Sequence, residues 1–346
     1  MALLSRILVA VTLLLGVANS GCSKREPTKA RGAAAAMGLE QLELRYQGFA
    51  GTVLYPELAE DLGYLAPIKL KYVGNTISGP QDIQSVVTGD TDYGGAFNGA
   101  VIKLVAAKAP VRAVIGYYGV DEQTYLGFYV LADSPIHGPR DLIGRKVAVN
   151  TVGANAEFVL REYLSRGGLS KAEADQVTLV VVPPVTSEQA LRQKQVDVVM
   201  LSNILRDKAL ERGNIRQLFS DFELFGTFTA GSYVLSKRFF HDNPNTARKF
   251  VEATAKAIEW ARSQPRAEVI ARYKAIIQRR ARNEDGASVG YWRSTGIAGK
   301  GGLIAEREYQ IWLDWLVKDG QLGPGQLKLN DLYTNELNPF SGSGSR

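Results

Sequence analysis

A chain of 346 residues, 45% hydrophobic and 22% charged, has ample apolar surface for a core and fits two domains better than one, which sets aside a disordered chain. The net charge of +6 comes from Lys and Arg spread along the chain; the densest cluster, Gln278-Arg279-Arg280-Ala281-Arg282, is too brief for a nucleic-acid footprint and reads as a solvated helix face. Cys22 is the only cysteine and the two histidines are unpaired in sequence, so an internal disulfide, a zinc or iron site and a cysteine- or histidine-dependent nucleophile all fall away.

At the amino terminus, Arg6 precedes the apolar run Ile7 to Val17, which is too short to span a bilayer as a mature helix and predicts an export signal over 1–21. Small residues then lead to Cys22 and a polar stretch. This resembles a bacterial lipoprotein signal, with Asn19 standing where an apolar residue is usual, and it implies acylation of Cys22, a lipid-anchored tether over 22–38 and a periplasmic location. Simple cleavage to a soluble exported form is the alternative.

From residue 39 to 340, β-rich runs alternate with amphipathic helical stretches. The predicted strands are Leu42 to Tyr46, Ile68 to Val73, Tyr93 to Ala96, Val111 to Tyr118, Lys146 to Asn150, Val177 to Val182 and Val196 to Leu201. Such alternation argues for an α/β fold. Two stretches a hundred residues apart echo each other. Leu42 to Tyr46 runs through Gln47-Gly48-Phe49-Ala50-Gly51 into a helical stretch, as Lys146 to Val149 runs through Asn150-Thr151-Val152-Gly153-Ala154-Asn155 into another. Asp92 and Asp197 then open a further strand in each half, and Asn98 and Asn203 follow them at the same interval.

The echo predicts two lobes of one topology, each presenting loops at the carboxyl ends of its strands, with a ligand cleft between them. Gly127 to Ala132 and Ser232 to Ser236 share Tyr-Val-Leu and are expected as paired crossings at a hinge. The first lobe is accordingly assigned 39–131 and 234–340, the second 132–233, and 341–346 reads as a flexible tail. Beyond Asn243 the chain is helical, with Trp260, Trp312 and Trp315 at core spacing.

Reactive groups are scarce. His137 and His241 fall in turns, no phosphate-binding loop is present, and Asp121 and Glu122 are the only carboxylates at the expected cleft edge. What remains is a set of helix starts, at Gly48 to Thr52, Ser78 to Gln81, Asn98 to Ala100, Gly153 to Asn155 and Ser187, whose amide N–H groups suit an anionic guest.

Tyr46-Gln47-Gly48, Ser78-Gly79-Pro80-Gln81, Gly89-Asp90-Thr91-Asp92-Tyr93-Gly94, Asn150-Thr151-Val152-Gly153 and Tyr233-Val234-Leu235-Ser236 with Asn243-Pro244 resemble the nitrate/sulfonate/taurine substrate-binding proteins of ABC importers, a family that includes binders of thiamine pyrimidine precursors. The resemblance implies a two-lobed periplasmic-binding-protein fold of type II, with mixed sheets flanked by helices. It implies ligand contacts from Gln47, Gly48 and Phe49, from Ser78 and Gly79, and from Phe97 and Asn98; in the other lobe, from Thr151, Gly153, Ala154 and Asn155. Tyr117 and Tyr118 would wall the cleft, and Asn203 joins the set as the echo of Asn98.

Gly153-Ala154-Asn155 replaces the hydroxyl residues of sulfonate binders, and Ser202-Asn203-Ile204 replaces the Trp-acid-Pro of many members, so the ligand stays open with a small organic anion favoured. The function expected is the substrate-binding component of an ABC importer, a monomer serving a permease and its ATPase, with no catalytic residue, cofactor or metal and no nucleic-acid partner. Docking on a receptor as a ligand sensor, or an enzyme acting in the cleft, are the alternatives.

Overall fold

The computed structural model describes Gly32 and residues 37–342; the expected signal, Cys22 and most of the tether lie outside the described residues, as do residues 343–346 of the tail. Strand β1 (Glu43–Gly48) buries Leu44 and Tyr46 while Glu43 and Arg45 face outward, the period-two pattern of a strand with one covered face. Helix α1 (Tyr55–Asp61) carries Pro56 in its first turn, and Glu57 reaches back to the N–H of Leu54 at 2.9 Å. Strand β2 (Lys69–Asn75) runs parallel to β1. Helix α2 (Gly79–Thr88) is capped by Ser78 and stopped by Gly89 at φ 83°, a left-handed position that glycine occupies without strain. Strand β3 (Tyr93–Phe97), helix α3 (Asn98–Ala106) and strand β4 (Val111–Val120) complete the first run.

The second run repeats it. After β5 (Leu126–Leu131) come β6 (Lys146–Val149), α4 (Asn155–Arg166), the short α5 (Lys171–Ala174), β7 (Thr178–Val181), α6 (Pro184–Arg192), β8 (Val198–Ser202), α7 (Asn203–Glu211), β9 (Ile215–Ser220) and α8 (Asp221–Phe225). The chain then returns through β10 (Phe228–Ser236) to α9 (Lys237–Asp242), α10 (Pro244–Ser263), α11 (Arg266–Arg280), α12 (Arg307–Lys318) and α13 (Leu329–Leu332). No helix among the described residues is long and apolar enough to cross a membrane.

The second sheet has the order β7-β6-β8-β5-β9, with β5 antiparallel to both of its neighbours. The first holds β3-β10-β4, with β10 antiparallel to both, and the β1-β2 pair adjoins it where the N–H of Asp92 donates to the Arg45 carbonyl at 2.9 Å. Both lobes thus share one plan: second strand, first, third, an antiparallel visitor, fourth.

That plan corrects the expected boundaries. Residues 126–131 belong to the second sheet, where Phe128 and Val130 sit in the second core, and β10 from Phe228 onward belongs to the first. The chain crosses between sheets at 121–125 and 221–227. The shared Tyr-Val-Leu marks the same place in two sheets, because β5 and β10 pair within different sheets and not with each other. Strand β9 was not expected: Arg216 and Gln217 break its apolar alternation.

The lobes pack together along one flank through Phe158 of α4, which enters the first lobe's core against Phe97 at 5.2 Å and Trp312 at 5.7 Å. Trp312 is buried, in keeping with its helical spacing. Two arginines of the cluster at the end of α11 are not on a solvated face, although Arg279 is. Arg280 and Arg282 are 9% and 15% exposed, and both bond to Glu57.

Candidate functional site

A cavity of about 560 Å³ opens between the lobes, a volume suited to a small organic ligand. From the first lobe it is lined by the loop Phe49 to Leu54 and by Tyr117, Tyr118 and Tyr233; from the second by Pro184 and Asn203 to Leu205; and along its mouth by Ser288, Val289 and Tyr291 to Thr295. Eight aromatic side chains face it, the others being Tyr55, Tyr273, Tyr291 and Trp292. Tyr117 stacks on Tyr233 with centroids 4.2 Å apart, and Tyr118 meets Tyr117 edge-on at 4.9 Å, so three neighbouring rings form one wall. Burial pushes the hydroxyls of Tyr117 and Tyr233 well above the usual phenol range, which keeps both neutral.

Arg293 is the one charged residue in this lining. Polar recognition is otherwise left to hydroxyls, the Asn203 carboxamide, the Trp292 indole N–H and main chain. Pro184 begins α6 and Asn203 begins α7, so the positive ends of two helices meet the cavity. Ser202 sends no side-chain hydrogen bond into the first turn of α7. Asn203 itself lies at φ 48°, a left-handed conformation that asparagine tolerates better than most residues.

The first-lobe loop is held from behind. Gly51, at φ 70°, donates its N–H to Glu284 at 2.6 Å and accepts from the Ser288 hydroxyl at 2.5 Å. Arg280 donates to the Thr52 carbonyl at 3.0 Å and to Glu57 at 2.8 Å, and it pairs with Glu284. Burial raises the Glu284 carboxyl, but hydrogen bonds from Arg280 and from the Gly51 N–H outweigh it and hold the carboxyl below the usual range, so the clamp is ionised at neutral pH.

Residues 57–268, more than half of the chain, match the sequence model of the family described as NMT1/THI5 like. The chain belongs to the NMT1/THI5-like family. No curated protein sequence matches it.

Solved structures resemble this NMT1/THI5-like chain along most of its length. The periplasmic aliphatic sulphonate binding protein SsuA from Escherichia coli is 19% identical with a TM-score of 0.64, covering 84% of this chain and 92% of its own. The alkanesulfonate-binding protein SsuA from Xanthomonas axonopodis pv. citri, bound to MOPS, is 20% identical with a TM-score of 0.66, covering 86% and 99%. The periplasmic nitrate-binding protein NrtA from Synechocystis PCC 6803 is 14% identical with a TM-score of 0.64, covering 86% and 88%. At these identities the likeness is one of fold, and that fold is the two-lobed α/β fold of periplasmic binding proteins, as expected.

Against this NMT1/THI5-like frame, the residues singled out from sequence separate into groups. Phe49, Tyr117, Tyr118 and Asn203 line the cavity. Gln47 and Gly48 end β1 behind it; the Gln47 Oε1 is buried without a partner, and Gly48 lies beneath Arg282. Ser78 caps α2, and Gly79 lets α2 approach β3, where a Cβ would stand 2.7 Å from Ala96.

Phe97 is core. Asn98 is fully buried and donates to the carbonyls of Thr229 and Glu308 at 3.1 and 3.2 Å while accepting from the Ser232 hydroxyl at 2.8 Å. Thr151, Gly153, Ala154 and Asn155 lie outside the cavity lining. Their turn faces α3, with Lys103 Nζ 3.7 Å from where a Gly153 Cβ would sit, and the Asn155 Oδ1 is buried without a partner. Expected as ligand contacts, these residues are turned instead toward the helices beside them: the Gly153 N–H donates to Glu157 of α4 at 2.7 Å, and one turn further on Phe158 packs against Phe97 of the first lobe.

His137 and His241 are exposed, and the described residues hold no cluster of metal-ligating side chains. Asp121 accepts the N–H groups of Gln123 and Thr124, which makes it a turn residue of the first crossing. The aromatic mouth from Tyr291 to Arg293 was missed. Its only sequence signal is an aromatic pair without helical or strand period between Gly290 and Ser294.

Proposed function

We propose that this NMT1/THI5-like protein is the extracytoplasmic substrate-binding component of an ABC importer. It takes a small organic anion with an aromatic or apolar body into the cleft between its lobes and delivers it to a permease and its ATPase. The observation that carries this is the character of the lining: eight aromatic rings, two helix starts, one guanidinium and no carboxylate. Rings bind the flat body of a ligand, and helix starts with a cation bind its acidic head.

Phe49, Tyr117, Tyr118 and Asn203, which are expected from sequence and line the cavity, are the proposed contacts of the ligand. Closure proceeds by bending at the two crossings, 121–125 and 221–227, which exchanges ligand hydration for fixed donors. The protein binds without turnover, acts as a monomer, and is held at the periplasmic face of the membrane through acylated Cys22. The fold shared with the sulfonate- and nitrate-binding proteins supports this role. The aromatic walls favour an aryl carboxylate or sulfonate over nitrate or taurine.

Thermal-shift measurements with benzoate, benzenesulfonate, taurine and nitrate test the proposal, because a ligand of the native state raises the melting temperature by mass action. The aryl anions raise it at lower concentration than the other two. Stabilisation by none of them at millimolar concentration, or chemical conversion of a bound anion, overturns it.

A further inference from the structure

We infer that Arg293, fixed in place by Asp207, is the residue that selects an anionic head group in the cleft; this rests on the proposed ligand-capture function and names the chemistry of that same site. After α11 the chain forms a short 3-10 turn (Gly286–Tyr291) and then runs as a strap along the cleft mouth. The first lobe holds the strap through Arg266, which donates to the carbonyls of Trp292 and Gly290, both at 2.7 Å. Further on, the Ser294 hydroxyl pairs with that of Thr124 in the first crossing at 2.8 Å. The strap therefore spans from one lobe to the hinge, and Arg293 projects from it toward the second lobe.

There Arg293 donates through Nε and Nη2 to one oxygen of Asp207 on α7, at 3.0 and 2.8 Å. The other Asp207 oxygen accepts from Arg206 at 3.0 Å. Arg206 is almost fully buried, and its remaining nitrogens donate to the carbonyls of Tyr125 and Gln123. One carboxylate thus serves two guanidinium groups, and among the described residues neither arginine has a second carboxylate partner. The junction keeps a surplus positive charge on the cavity wall.

Arg293 is the member of the pair that faces the cavity, with its side chain 48% exposed; among the described residues its hydrogen bonds run from Nε and Nη2 to Asp207, and none runs from Nη1. Asp207 holds two of the donors, which orients the third edge of a planar group and lowers the entropy lost when an acid is bound. The first turn of α7, Asn203 to Leu205, lies on the same wall and on the same helix as Asp207. An acidic head seated there meets helix N–H groups and a guanidinium together, while its aryl body rests on Tyr117 and Tyr118. Arg293 acts on the ligand directly and Asp207 is a positioning residue.

Calorimetry on the full-length chain in detergent, with benzenesulfonate and its neutral counterpart benzenesulfonamide, tests this in the wild type, R293Q and R293K. The wild type prefers the anion. R293Q lowers anion affinity about tenfold or more, as loss of one charge-assisted hydrogen bond does, and leaves the sulfonamide unchanged; R293K keeps part of the preference. An R293Q protein that retains the wild-type preference, or that loses both probes equally, overturns the assignment to Arg293 while the cleft function stands. R293K indistinguishable from R293Q overturns selection by charge. A wild type that binds neither probe overturns the cleft function and this inference together.

Discussion

The Asp92 carboxylate accepts the main-chain N–H of Arg45 at 2.6 Å, and the N–H of Asp92 is returned to the Arg45 carbonyl at 2.9 Å. In the other lobe Asp197 accepts the N–H of Lys146 at 2.8 Å and donates its own N–H to the Lys146 carbonyl at 2.9 Å. Each aspartate staples the start of its lobe's third strand to its first, which is why the same residue recurs at the same place in both halves of the sequence. The two staples differ in depth. Asp92 is 5% exposed and also takes two hydrogen bonds from the Arg45 guanidinium, whereas Asp197 is 34% exposed and has only a 3.6 Å approach from Arg145.

Removing the buried staple is therefore the costlier change. D92A is expected to lower stability by about 2–3 kcal/mol, because it strands charged and main-chain donors, and D197A by about 1 kcal/mol, where water replaces the lost acceptor. Urea denaturation of the two variants measures both. Equal losses would show that the echo is one of sequence and not of energetics.

Asn98, the next member of the echo, is expected to affect folding rather than recognition. Its carboxamide joins β10, through Thr229 and Ser232, to the carbonyl of Glu308 on α12, and a truncation leaves three buried groups without it. N98A should cost about 2–4 kcal/mol of stability, yet the folded fraction should bind benzenesulfonate as the wild type does. A variant that melts normally but binds poorly would put Asn98 back in the site.

Much of the fold was legible because the first three strands of each lobe obey simple patterns and follow one order, with Asp92 and Asp197 at the same place in each. The site was less so. Asn98 and Asn203 are indistinguishable by spacing, yet one is buried among β10 and α12 and the other faces the cavity, and the difference depends on α12, some two hundred residues away in the chain. Phe158 reads as an ordinary helix-face residue, and nothing local reveals that it wedges into the opposite lobe. Arg280 and Arg282 look like solvent charge until Glu57 and Glu284 are brought against them.

Gly51 offers a test of the clamp behind the cleft loop. At φ 70° a side chain is strained, and a Cβ there would stand 2.9 Å from both the Asp285 carbonyl oxygen and the Ser288 hydroxyl. G51A is expected to cost about 1–3 kcal/mol and to weaken benzenesulfonate binding by releasing Phe49 to Leu54. S288A, which removes one hydrogen bond without adding strain, should give a smaller loss of the same kind. Calorimetry and thermal melts on the pair separate the contributions, and wild-type binding by G51A would show that the loop is set by something other than this clamp.

The last prediction concerns pH. Asp82 reaches from α2 to accept the Gly95 N–H at 2.7 Å, while its other oxygen is buried without a partner; Asp221 does the same for Leu126 at 2.9 Å, tying the two crossings together. Burial raises both carboxyls from 3.8 to about 7. The folded state thus holds these protons more tightly than the unfolded chain does, so the stabilisation is full below 3.8, and it is lost as pH rises toward about 7. The Glu284 clamp has the opposite sign, since its lowered carboxyl stabilises above the ordinary range and fails only in acid. A difference measurement isolates the aspartate. Replacing Asp82 by asparagine keeps the acceptor for Gly95 and removes the proton linkage, so wild type minus D82N should fall by up to about 4 kcal/mol between about pH 4 and about pH 8. Parallel stability curves for the two proteins across that interval would show that the Asp82 carboxyl titrates alike in the folded and unfolded chain, which overturns the prediction.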